Sequence, residues 1–163
     1  MSRPSLDAIE TPTLPHVPDR HLRELIGYSM KRAYYTLQSD AARVLEGLGL
    51  RISTYSALSI ICDTPDLRQS QLAEALSMER SNTVVLVDTL EKAKLIARLR
   101  VPTDRRSYAL RPTPAGEALC ARATAALHAH EDRLLGGLAP EERAELMRLL
   151  RKIDGSGGET DDR

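Results

Sequence analysis

The 163 residues contain no Phe and no Trp, and five Tyr make up the whole aromatic complement. Large rings cannot dominate the core, which falls to Leu, Ala, Val and Ile. Leu and Ala are strong helix formers, so an α-rich fold is expected. The two cysteines, Cys62 and Cys120, form no metal-type pair and imply no disulfide framework. His128 and His130 stand two apart on a helical stretch, point in different directions and make a poor metal pair. No run of about 18 apolar residues occurs and the N-terminus lacks the apolar stretch of a signal peptide, so the cytoplasm is the expected location. Nucleophile–base pairing, ligand spacing and a phosphate loop are missing too, which leaves no expectation of an enzyme, a cofactor or a metal.

There is also no net charge, 23 cationic side chains balancing 23 anionic ones. The distribution is uneven. Between Arg68 and Arg111 nine Lys and Arg face five Asp and Glu, a local excess of +4 that leaves −4 for the remainder. A basic middle with acidic flanks suits a nucleic-acid partner, although ordinary scatter can reach the same value.

Apolar spacing organises the chain. Residues 1–18, with four prolines, read as an extended arm. A helix capped by Asp19 runs to about Gly47, some 40 Å at about 1.5 Å per residue and too long for this chain alone to bury. Ser53 caps a second helix, Thr54 to Cys62. Two short helical patterns follow, Gln69–Leu76 and Arg80 to about Lys94, separated only by Ser77-Met78-Glu79. Leu72, Ala73 and Leu76 form the inner face of the first, and Val84, Leu86, Val87 and Leu90 supply core residues to the second. Leu95–Val101 and Ser107–Arg111 are strands joined by a turn containing Pro102 and Asp104. Thr113-Pro114 is an N-cap with Pro at the first helical position, opening a helix that reaches Gly136-Gly137. Pro140 opens the last helix, and residues 154–163 form a polar, disordered tail.

A helix-turn-helix followed by a hairpin is a winged helix, whose second helix enters the major groove while the wing reaches the backbone or minor groove. The expected fold is mainly α: a winged helix-turn-helix over 51–112 with a two-stranded wing, and an α-helical dimerisation region from both chain ends, 19–50 and 113–153. A C2 dimer would present two recognition helices to a palindrome.

Residues 67–119 resemble the DNA-binding core of the MarR (multiple-antibiotic-resistance regulator) transcription factors. The markers are Leu72-Ala73, Arg80-Ser81-Asn82, Val87-Asp88 with Leu90-Glu91, Asp104-Arg105-Arg106 and Thr113-Pro114-Ala115-Gly116, in that order and spacing. The resemblance implies a homodimeric repressor on a pseudo-palindromic double-stranded operator. It also implies release by a small, often aromatic, acidic effector bound between the dimer region and the DNA lobe; an aromatic acid or its CoA thioester is the expected class.

Base reading is expected from Arg80, Ser81, Asn82 and Thr83, Arg80 suiting guanine and Asn82 adenine, with Val85 against a thymine methyl. Arg68, Gln69 and Ser70 would position phosphates. Arg105 would enter the minor groove at the wing tip, with Asp104 orienting Arg106. Three places depart from the family pattern: Ser77 stands where a small turn residue, usually Gly, is common, Arg68 where a Ser or Thr cap is, and Val84 and Val85 where polar or basic residues often occur. For the effector, Tyr28, Arg32 and Tyr35 offer aromatic surface and a carboxylate partner, with Arg51, Ser53 and Ser56 opposite; His16 and His21 belong to the same pocket or to a mobile arm. Two other readings stand beside the repressor: a winged helix that binds protein rather than DNA, and a regulator of the same fold sensing oxidants through Cys62. A single Cys on an apolar helix is more often inert core.

Overall fold

The computed structural model describes residues 19–101 and 104–155, with backbone only at 101 and 104–107. The arm with His16 and the tail from 156 onward lie outside the described residues. The chain falls into two compact units, residues 1–36 and 37–163.

In the first unit, the long opening helix is broken. A short α1 (Arg20–Arg23) precedes α2 (Ile26–Glu46), which continues into the second unit. Asp19 precedes α1 but its side chain caps nothing. Instead its carboxylate accepts from Arg23 Nε at 2.6 Å, Tyr28 Oη at 2.8 Å and Arg32 at 3.3 Å. Along one straight helix Tyr28 would lie about 13 Å from Asp19 and Arg32 about 20 Å. The bend at Glu24-Leu25 brings both back to one acid.

In the second unit, α2 ends as Gly49, at φ 74°, donates to the Glu46 carbonyl and Leu50 to the Leu45 carbonyl, a glycine C-terminal motif. Helix α3 (Ile52–Asp63) starts two residues earlier than a Ser53 cap requires. Thr54, third in the helix, does the capping: its hydroxyl accepts from the Arg51 amide at 2.8 Å and donates to the Arg51 carbonyl at 2.9 Å. Next come β1 (Leu67–Arg68), α4 (Gln69–Ala75), α5 (Arg80–Lys92), β2 (Ile96–Val101), β3 (Asp104–Pro112), α6 (Pro114–Leu134) and α7 (Pro140–Asp154).

The wing is the expected antiparallel hairpin, with a third strand added in the order β1-β3-β2. Leu67 pairs with Leu110, and Ile96 with Pro112. Strand β3 begins at Asp104, which pairs with Val101 after a register shift between Arg100 and Val101, and the backbone of Asp104–Arg106 belongs to the strand.

The main core gathers Leu58 and Ile61 of α3, Leu72 of α4, Val87 and Leu90 of α5 and Leu110 of β3. Tyr55 Oη and Thr124 Oγ1, 2.9 Å apart, tie α3 to α6. The start of α6 is fastened to the entry of β2. Thr113 donates its amide to the Leu95 carbonyl at 2.9 Å, and its one hydroxyl proton is shared between the Lys94 carbonyl at 2.7 Å and the Leu95 carbonyl at 3.1 Å. That hydroxyl also accepts from the Gly116 amide at 3.1 Å. A Cβ on Gly116 would sit 2.0 Å from the Leu95 carbonyl oxygen, so only glycine permits the approach. Among the described residues no helix is long and apolar enough to cross a membrane.

Candidate nucleic-acid interface

The corner between α4 and α5 depends on Ser77, which takes the left-handed conformation at φ 50°. Its amide donates to Glu74 and that of Met78 to Ala73, closing α4 so that α5 can start three residues later. Arg80, Ser81 and Asn82 are exposed in the first turn of α5, whose leading amides favour anions. Thr83 is not with them. It is 0% exposed, lies in register with Val87 and Leu90, and donates its hydroxyl to the Glu79 carbonyl at 3.2 Å. A side chain so buried cannot reach a base, so Thr83 is core. Val84 is the converse: 41% exposed, it leaves the core expected for it and stands beside Val85, 62% exposed.

Arg68 and Ser70 are exposed and Gln69 half-buried at the start of α4. Arg68 is the residue before the helix, and the cap comes from Gln71, whose Oε1 accepts the Arg68 amide at 2.8 Å. The side chains of Asp104, Arg105 and Arg106 fall outside the described ones. Arg111 pairs with Asp66, Nε to Oδ1 at 2.9 Å, which occupies it at the base of the wing.

Sequence reasoning missed Arg98. From β2 it reaches α5, pairing with Asp88 and, at 3.2 Å, with Glu91. Arg98 is 24% exposed and each carboxylate 42%. The guanidinium neutralises two acids on a helix meant for an anionic partner and joins wing to helix. Only the acid-rich second half of α5 hinted at it.

The effector candidates divide between the units. Tyr28 and Arg32 meet on Asp19, with the Arg32 guanidinium 5.9 Å from the Tyr28 ring centre. Arg23 and Tyr28 hold the Asp19 carboxyl below its usual range. Arg32 thus already has a carboxylate partner from its own chain. Tyr35 is exposed and packs against Tyr34, ring centres 6.0 Å apart. His21 is exposed. In the second unit Arg51 and Ser53 line an open cleft of about 710 Å³ with Gln38, Ala42, Glu46 and Ile52. Ser56 stays off it, its hydroxyl donating to the Ile52 carbonyl.

The MarR family model matches residues 50–108. A Thauera aromatica protein assigned to transcriptional regulation of the hcr operon is 33% identical over 83% of this chain and 82% of its own. The chain belongs to the MarR family. Among solved structures, the repressor CouR bound to a 23-mer DNA duplex is 34% identical, superposes with a TM-score of 0.80, and matches 85% of this chain and 98% of its own. CouR bound to p-coumaroyl-CoA is 32% identical with a TM-score of 0.74, over 85% and 97%.

As a MarR-family transcriptional regulator, this chain carries two thiols inside its winged-helix core. Cys62 is half-buried and Cys120 buried. Burial and the neighbouring Cys120 push the Cys62 thiol well above its ordinary range. A protonated thiol is a poor nucleophile toward oxidants, so these surroundings favour packing over redox sensing.

Proposed function

We propose that the chain is a homodimeric repressor, released from a pseudo-palindromic operator by a small aromatic acid or its CoA thioester. The observation that carries this reading is the recognition helix: Arg80, Ser81 and Asn82 are exposed together at the start of α5, on a winged helix like that of CouR, whose DNA-bound form is 34% identical. Such a first turn suits base edges and phosphates in the major groove.

Support for a second copy comes from α7, where Leu146, Met147, Leu149, Leu150 and Ile153 are 36–64% exposed. Five apolar side chains on one helix form the kind of face that a symmetric partner covers. Support for the effector class comes from the p-coumaroyl-CoA form of CouR and from Arg51 in the lining of its cleft, a cation suited to carboxylate or phosphate. Release needs only that the effector prefer a dimer whose half-site spacing mismatches the DNA, a shift of a few kcal/mol. No catalytic step is involved.

The test is fluorescence anisotropy on a labelled duplex spanning the promoter region beside the chain's own gene. The chain binds at nanomolar concentration and mass photometry finds two protomers per duplex. p-Coumaroyl-CoA or salicylate, added in turn, lowers the anisotropy. Arg105→Ala weakens binding while leaving the dimer intact. Binding that ignores salt and sequence overturns the reading.

A further inference from the structure

The outward face of α5 follows from its buried one. Thr83, Val87 and Leu90 are buried. At about 100° per residue, the opposite side carries Ser81, Val85, Asp88 and Lys92, with Val84 and Thr89 flanking. The polar atoms in the middle of that face are engaged. Asp88 is paired with Arg98, and the Thr89 hydroxyl donates to the Val85 carbonyl at 2.7 Å. Past Asn82, then, the middle of the face offers two valines, 41% and 62% exposed, beside the engaged Asp88 and Thr89, with Lys92 at its far end.

In the major groove only one base edge offers a methyl group, the C5 position of thymine. Resting on the reading of this chain as a DNA-binding regulator, we propose that Val85, flanked by Val84, reads a thymine methyl, so that each half-site holds a thymine recognised without a hydrogen bond from α5. Arg80, Ser81 and Asn82 select neighbouring bases by hydrogen bonding. The specificity is thus divided along one helix, polar at its start and apolar one turn on.

The experiment uses the full chain and the duplex it enriches from a random library. That duplex is resynthesised with deoxyuridine replacing one thymidine at a time, which removes only the methyl. One thymine per half-site is expected to weaken binding about fourfold on loss of its methyl, the value of one buried methyl or methylene. 5-Bromodeoxyuridine, which restores bulk at C5, is expected to restore affinity. Val85→Ala, at a position 62% exposed and so neutral for folding, removes two of the three apolar carbons and is expected to shrink the difference between thymine and uracil. Enrichment followed by indifference to every uracil overturns the role of Val85 and leaves the DNA-binding reading standing. A uracil effect undiminished in Val85→Ala assigns the methyl to another residue and equally overturns it. Failure to enrich any sequence overturns both.

Discussion

Replacing Gly116 by alanine sets two physical effects against each other. Helix propensity alone favours alanine by about 1 kcal/mol. The structure reverses the sign. The new Cβ would lie 2.0 Å from the Leu95 carbonyl oxygen and 2.9 Å from its carbon, both backbone atoms that no rotamer can move. An ordinary contact begins near 3.4 Å, so α6 must withdraw by more than an ångström at its first turn. That stretches the bonds from the Thr113 amide and hydroxyl to Leu95, now 2.9 and 3.1 Å. Two bonds at about 1 kcal/mol each, with about 1–3 kcal/mol for overpacking, outweigh the propensity gain. The net expectation is a loss of about 2–4 kcal/mol. For a chain of this size each kcal/mol moves Tm by about 2–4 °C, so calorimetry should find a fall of roughly 5–15 °C. A variant as stable as the parent, or more so, would refute the close approach of α6 to Leu95 and the fastening built on it.

Ser77→Gly removes a left-handed Cβ at φ 50° and is expected to stabilise the fold by about 0.5–1 kcal/mol, read from urea midpoints at unchanged slope. Arg98→Leu strips the partner from Asp88 and Glu91. Two freed carboxylates about 8 Å from phosphates repel them by about 0.5 kcal/mol each, so affinity for the enriched duplex should fall about fivefold at low salt and less at high salt; equal affinity with lower Tm would make Arg98 purely structural. Cys62 is raised from its ordinary 9.0 to about 12 by burial and Cys120. A raised pKa stabilises fully below the unfolded value and is lost as pH climbs through the folded one. Stability should therefore fall between pH 9 and 12 more steeply in the parent than in Cys62→Ala, with equal slopes below pH 8, and iodoacetamide should label Cys62 slowly at neutral pH.

The elements legible in the sequence were those with local signals. Thr113-Pro114 carries its own cap, and the corner at Ser77 lies between two periodic runs, so both could be placed within a residue or two. The bend at Glu24-Leu25 was not legible, because it answers to Asp19 gathering residues 9 and 13 positions away. Strand β1 is two residues long, too short for any period, and exists only by pairing with β3. Thr83 was within reach of the pattern: it is four residues before Val87 and seven before Leu90, and placing Val84 inside shifted the helix by one residue. At the interface, the exposed first turn of α5 was readable, whereas Arg98 was not, since it joins positions on two elements that only the fold brings together.

Thr113 is the single residue between β3 and α6, and its polar backbone and side-chain groups are committed to Lys94, Leu95, Gly116 and Glu117. Such a joint has no slack. A tilt of α6 cannot be absorbed there while its bonds hold; it passes to the root of the hairpin and, by way of Arg98, to α5. Wing and recognition helix therefore change position as one body, and a regulator built this way has a single lever to move rather than two contacts to release in turn.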